Sequence, residues 1–256
     1  MSSAADSAAD GPAQRLVRPS KVSHVVASAI VEDIVRKNLV AGDRLPAESD
    51  LAARFSVSRV SVREALRLLE MYGVVRIRQG NKGGNVVGAV DELDLARTLS
   101  LFLRMARATY RDLMEARIVI EPFMARRAAE RQDPAQLAAI REIMEQEAAS
   151  TPETPESDDL AIKFHWVIVG ASGNPVLDSV GRAIHALYGD RLAARLLFEA
   201  GGWSEARHIH YDIGQAILDG DARKAHRLMA EHVEEFLQLQ EQRTPWFLGE
   251  RISWEP

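Results

Sequence analysis

The sequence predicts a mostly α-helical protein in two parts: a small N-terminal unit closed by a short β-hairpin, and a C-terminal all-α antiparallel bundle of six or seven helices. Three observations carry this. Runs of β-branched residues are scarce outside a short region near residue 75, and glycine and proline are ordinary in number at 16 and 10. From about residue 91 one helical pattern follows another with no strand pattern between them. The net charge of -5 is also divided. Residues 20–90 hold 11 Lys and Arg against 7 Asp and Glu, a balance of +4, whereas residues 91–256 hold 19 against 28, a balance of -9. A basic module on an acidic whole suggests that the module meets a polyanion. The 256-residue length favours two domains. Their expected limits are a disordered tail over 1–19, a first domain over 20–90, a second over 91–245 and a C-terminal tail over 246–256.

What is missing is compatible with a reducing compartment. There is no cysteine, so disulfides and thiolate metal sites leave the discussion. The first nineteen residues lack the apolar core of a signal peptide, and no uncharged apolar run reaches the ~18 residues that a bilayer span needs. A soluble cytoplasmic protein is expected, with no membrane partner.

In the basic part, Val22, Val26, Ile30 and Ile34 at helical spacing give an amphipathic first helix. Gly42 shapes a turn, and Pro46 precedes a second short helix starting at Glu48-Ser49-Asp50. A tight connection leads into a third helix, where Val62, Leu66 and Leu69 form the buried stripe and Arg59 and Arg63 share a different face. After Gly73, VVRIR and VVGAV flank the glycine-rich QGNKGGN and read as a hairpin carrying Arg76, Arg78 and Lys82. This order describes a winged helix-turn-helix, whose third helix enters the major groove of double-stranded DNA. A short module reading a palindromic operator works in pairs, so a homodimer is expected.

The stretch GDRLPAESDLAARFSVSRVSVREALRLLEMYGVV resembles the DNA-binding signature of the GntR family of bacterial transcription regulators. The resemblance covers residues 20–90. It implies that Arg59 and Arg63 contact bases or adjacent phosphates, with Ser58, Ser61 and Ser49 nearby on the backbone and a wing-tip contact at Gln79-Gly80. Two positions depart from the pattern. Ser56 stands where the tight turn usually has glycine, at a cost of ~1 kcal/mol if it is left-handed. Ser49 stands where many relatives place a DNA-contacting arginine.

In the acidic part, Asp133-Pro134 reads as a helix cap and first position, and the TPETPESDD loop precedes a helix containing His165. His165, His210 and His232 fall on three helices and can each send an imidazole to the bundle centre, whereas His208 and His226 fall on other faces. Imidazole suits zinc and similar divalent ions, although a satisfied core or surface histidine is the commoner state. Arg117 and Glu121, four apart on one helix, either pair for a few tenths of a kcal/mol or leave the arginine, flanked by Ala116 and Ile118, a buried anion to meet.

YRDLMEARIVIE, FHWVIVGASGNP and AILDGDARKAHRLMAEH together resemble the effector-binding (FCD) domain of the FadR-type branch of that family. The resemblance implies a divalent metal on His165, His210 and His232, with Arg117 gripping a small carboxylate effector. It also implies an aspartate four residues before His165, and that position is Ala161. Asp158 lies about 10 Å of helical rise from His165, too far to share the ion. Three histidines with an open position remain a zinc arrangement that water or an anion completes. If Arg117 adds its charge to the ion's, a dicarboxylate or another strongly anionic ligand is favoured. The competing reading is a metal-free pocket in which the histidines donate hydrogen bonds.

The function expected is a ligand-responsive transcription regulator, commonly a repressor relieved by its effector. A metal-sensing regulator is the alternative. A three-histidine zinc enzyme is disfavoured, because no carboxylate has the spacing of a general base.

Overall fold

The computed structural model describes residues 22–78, 84–151, 154–189 and 203–254. The chain divides at Val90/Asp91 into two compact units. The expected 1–19 tail lies outside the described residues.

The first unit runs α1 (Val22–Arg36), α2 (Glu48–Phe55), α3 (Arg59–Met71), β1 (Val75–Arg78) and β2 (Gly84–Val87). Val26, Ile30, Leu51, Val62, Leu66, Leu69 and Val75 make its core. Val22, expected on the apolar face of α1, is 52% exposed, because the buried face of that helix runs through Ser23, Val26, Ala27 and Ile30. The strands pair antiparallel with Val75 opposite Val87 and Arg78 opposite Gly84. The second strand starts two residues earlier than VVGAV suggests, and Asn85 is buried in it. Its other edge is taken by the segment before α2, through Leu45 N–H to Asn85 O and Val87 N–H to Asp43 O, both at 2.9 Å. Between helices, Arg54 pairs with Asp33 through both guanidinium ends and ties α2 to α1. The glycine-lacking turn is indeed left-handed: Ser56 has φ 54° and ψ 42° at the end of α2.

The regular elements of the second unit among its described residues are helices: α4 (Glu92–Met105), α5 (Tyr110–Arg131), α6 (Pro134–Ala149), α7 (Pro155–Ala171), α8 (Pro175–Gly189), α9 (Trp203–Leu218), α10 (Ala222–Arg243) and the single turn α11 (Pro245–Leu248). Side chains written into the sequence start these helices. Asp91 and Thr109 build capping boxes with Asp94 and Asp112, Asp133 caps α6 with Pro134 in its first turn, Thr154 caps α7 and Asp221 caps α10. Met114, Met124, Ile140, Ile143, Phe164, Ile168, Ile213, Ile217 and Met229 are fully buried. Within the expected 246–256 tail, Phe247, Leu248 and Ile252 instead belong to the core. Phe247 stacks on Tyr110 at 4.3 Å, and Ile252 N–H bonds Ala108 O at 3.0 Å, so the chain end clamps the start of α5. No helix among the described residues is long and apolar enough to cross a membrane.

Candidate functional site

In the first unit the surface of interest is the N-terminal half of α3. Ser58 caps that helix, its Oγ accepting from Ser61 N–H at 3.1 Å, and so fixes the first turn from which Arg59 projects, exposed. Arg63, one turn on, is also exposed and is paired with Glu48 at the start of α2, Nη2 to Oε2 at 2.9 Å. Ser49 is exposed beside it. Gln79 and Gly80, the expected wing-tip contacts, lie outside the described residues, as does Lys82.

In the second unit, α7, α9 and α10 bring His165, His210 and His232 together, each at least nine-tenths buried. His208 and His226 are exposed on other faces. The three rings meet through their Nε2 atoms: His210 to His232 at 3.1 Å and His232 to His165 at 3.3 Å. Behind them stand two carboxylates. Glu121 Oε2 lies 2.7 Å from His165 Nδ1, and Glu147 Oε1 lies 2.8 Å from His210 Nδ1.

The protons can be assigned from this geometry. A carboxylate only accepts, so Nδ1 of His165 and of His210 each donate, and in neutral rings both Nε2 atoms present lone pairs. His232 has one Nε2 to place between them. A single proton there is donated to one of them and leaves the lone pair of the other without a donor. Burial holds the His165 imidazole down at about 3 despite the opposing pull of Glu121, and burial likewise holds His232 well below the ordinary histidine value. Extra protons therefore do not relieve the cluster near neutral pH, whereas a divalent cation accepts all three lone pairs at once. The two Nε2 separations are close to the ~3.3 Å edge of a tetrahedron with zinc–nitrogen bonds of about 2.0–2.1 Å. The donor set fits such an ion, and carboxylates on the far nitrogens are the usual way that ligating imidazoles are oriented.

Beside the cluster is a cavity of about 40 Å³ lined by Arg117, Ala161, His185, Tyr188 and Phe236 as well as the three histidines. Ala161 sits in its wall one turn before His165, so no carboxylate enters from that side. Arg117 is buried with its Nε 2.5 Å from Glu121 Oε1, and its guanidinium lies 5.2 Å from the Tyr188 ring centre and 5.7 Å from that of Phe236. Burial pushes the Glu121 carboxyl up, but Arg117, His185 and His165 together hold it well below the usual carboxylate range. Both sequence alternatives for Arg117 and Glu121 thus contain something of the structure. They do pair, but in a buried hub that also takes two imidazoles.

Glu147 and His185 escaped the sequence reading. Glu147 lies seven residues after Ile140 on the buried stripe with Ile143 and Met144, and that periodicity was its available signal. His185 sits among the buried small residues Ala183 and Ala186 on α8. Its Nε2 is 3.1 Å from Glu121 Oε1 without the geometry of a hydrogen bond, and has no hydrogen-bond partner among the described residues.

Comparison with known proteins gives a consistent picture. Residues 23–83 match the model of bacterial regulatory proteins, gntR family, and residues 112–235 match the FCD domain. The chain is 31% identical, over 85% of its length and 86% of the other, to an Escherichia coli (strain K12) protein named for regulation of the L-lactate dehydrogenase operon. It is 32% identical to the HTH-type transcriptional repressor NanR of Edwardsiella tarda, over 85% of this chain and 84% of that one. Among solved structures it is similar to a Streptococcus agalactiae GntR protein, with 26% identity and a TM-score of 0.66 over 84% of this chain and 99% of that chain.

Proposed function

The chain belongs to the gntR family of bacterial regulatory proteins and carries an FCD domain, so it is a DNA-binding transcription regulator and not an enzyme; from that premise we propose that it is a homodimeric repressor whose hold on a palindromic operator is set by a small carboxylate bound in the second unit. His165, His210 and His232 hold a divalent ion, zinc or one like it, and the effector enters the cavity beside them with Arg117 in its wall. The observation that carries this reading is the meeting of three buried Nε2 lone pairs, backed by Glu121 and Glu147, at a cavity that Ala161 leaves open. On the DNA side, Ser58, Ser61 and Ser49 meet the backbone, Arg59 and Arg63 read bases or neighbouring phosphates, and Gln79-Gly80 forms the wing contact. The name of the NanR relative supports repression. The ion supplies Lewis acidity that binds a carboxylate oxygen; the chain's own residues orient the imidazoles and exclude water.

The test is operator affinity, by fluorescence anisotropy on a duplex selected from random sequence. It is measured with metal-stripped protein, with zinc, and with zinc plus a panel of short carboxylic acids. Release that needs both zinc and an acid is expected. Release by zinc alone would make the protein a metal sensor, and affinity indifferent to every addition would overturn the effector reading.

A further inference from the structure

Arg63 is held from the side. A guanidinium has two forked edges, Nε with Nη2 along its flank and Nη1 with Nη2 at its tip. Glu48 occupies the flank: Nη2 donates to Oε2 at 2.9 Å, and Nε donates to Oε1 at 3.4 Å. The tip, a fork that can also match O6 and N7 of a guanine, has no hydrogen-bond partner among the described residues and is left for one. The Arg63 side chain is 56% exposed, against 31% for Glu48.

Glu48 is itself well placed to act as a brace. It is the first residue of α2, where the helix end favours a carboxylate, and that helix has no side-chain cap of its own at Ala47. Leu51 and Ala52 anchor α2 in the core. Ser49, standing where the family resemblance expects an arginine, turns its hydroxyl to Asp50 at 3.3 Å and puts no competing cation next to Glu48.

We propose that Glu48 is a specificity-determining positioning residue, which grips the flank of Arg63 so that its tip fork is presented to a guanine edge. The proposal rests on the reading of Arg63 as a base contact. A flexible, unbraced arginine can reach whichever phosphate is nearest and so gains sequence-independent affinity. A carboxylate beside the DNA also repels phosphates. The brace therefore gives up general affinity and gains discrimination, and removing it moves the two in opposite directions. Loss of a merely structural residue would lower both.

The experiment uses the full-length protein and three duplexes: the selected operator, the same operator with the guanine read by Arg63 replaced, and random sequence. Glu48→Gln is expected to cut discrimination between the first two about tenfold, within the range of one good bidentate contact, while binding random DNA more tightly and with a steeper salt dependence. In an Arg63→Ala background, Glu48→Gln is expected to have no further effect on discrimination. If Arg63→Ala abolishes discrimination and Glu48→Gln leaves it intact, the brace is refuted and the base contact stands. If Arg63→Ala changes nothing, both fall. Circular dichroism melts control for folding, and a parallel loss of affinity for all three duplexes with a lowered melting temperature would reduce Glu48 to a structural residue.

Discussion

Restoring the carboxylate that the family pattern expects at position 161 has two opposite consequences. Ala161 is 3% exposed and lines the cavity one turn from His165, so Ala161→Asp introduces an acid where water is scarce and Glu121 already contributes a negative charge nearby. Without metal, that acid is a buried charge beside Arg117, whose guanidinium is already matched by Glu121, or a carboxyl forced to hold its proton. A cost of about 3 kcal/mol is reasonable by comparison with unpaired buried charges. For a unit of this size that corresponds to a melting temperature lower by roughly 6–12 °C. With zinc, the same carboxylate is a fourth, anionic ligand. A gain of about ten- to a hundredfold in zinc affinity is then expected, and each tenfold is about 1.4 kcal/mol. Calorimetric melts of wild type and variant, in chelator and in excess zinc, read both effects. The variant should melt lower than wild type in chelator and show the larger rise on adding zinc. A variant that melts like wild type in chelator and responds no more strongly to zinc would refute the placement of residue 161 beside the ion.

Two further outcomes follow from backbone and protonation. Ser56→Gly removes a left-handed L-residue at the end of α2 and should stabilise the first unit by about 0.5–1 kcal/mol, the steric relief less the glycine's entropy; a chemical denaturation midpoint that stays put or falls would contradict it. His165 titrates at about 3 in the folded protein, where burial disfavours its charged form, but near 6.5 when unfolded. Its contribution to stability is therefore complete above about pH 6.5 and is lost as pH falls towards 3, because the unfolded chain binds the proton first. The metal-free second unit should accordingly lose stability between pH 7 and pH 5, with a shallower loss in His165→Leu, and equal slopes in the two proteins would refute the neutral, buried assignment.

The parts of the fold legible in the sequence are those written in local chemistry. Asp133-Pro134 fixes the start of α6 by itself, and the Val62, Leu66, Leu69 stripe fixes which face of α3 is buried and leaves Arg59 and Arg63 outside. The helix faces they occupy single out the three histidines as able to reach the bundle centre, but only resemblance joins them on one ion, since nothing in their spacing along the chain says that α7, α9 and α10 point them at one spot. Glu147 hid among Glu142 and Glu145 on the same helix, because only the stripe it shares with Ile140 separates a buried carboxylate from solvated ones. His185 and the C-terminal Phe247, Leu248 and Ile252 were unreadable for a related reason. Their burial depends on elements far away in sequence, which a local pattern cannot report.

The Arg117–Glu121 pair shows how far burial alters a familiar motif. On an exposed helix an i, i+4 pair is worth a few tenths of a kcal/mol. Here the side chains are 6% and 3% exposed, and Glu121 also faces His165 and His185. The case for a strongly anionic effector assumed that Arg117 adds its charge to the ion's, and a guanidinium already matched by Glu121 removes that reason. Glu121→Gln would leave Arg117 buried without its counter-charge, at a cost of about 3–5 kcal/mol. The uncompensated guanidinium, which lines the cavity, would then favour a small carboxylate beside it. Added acetate should then stabilise Glu121→Gln by thermal shift well beyond any effect on wild type, whereas Arg117→Met/Glu121→Gln, with neither charge, should be less destabilised than Glu121→Gln and indifferent to acetate. If acetate stabilises all three proteins equally, the pair is not the buried hub that the distances describe, and Arg117 finds its counter-charge elsewhere.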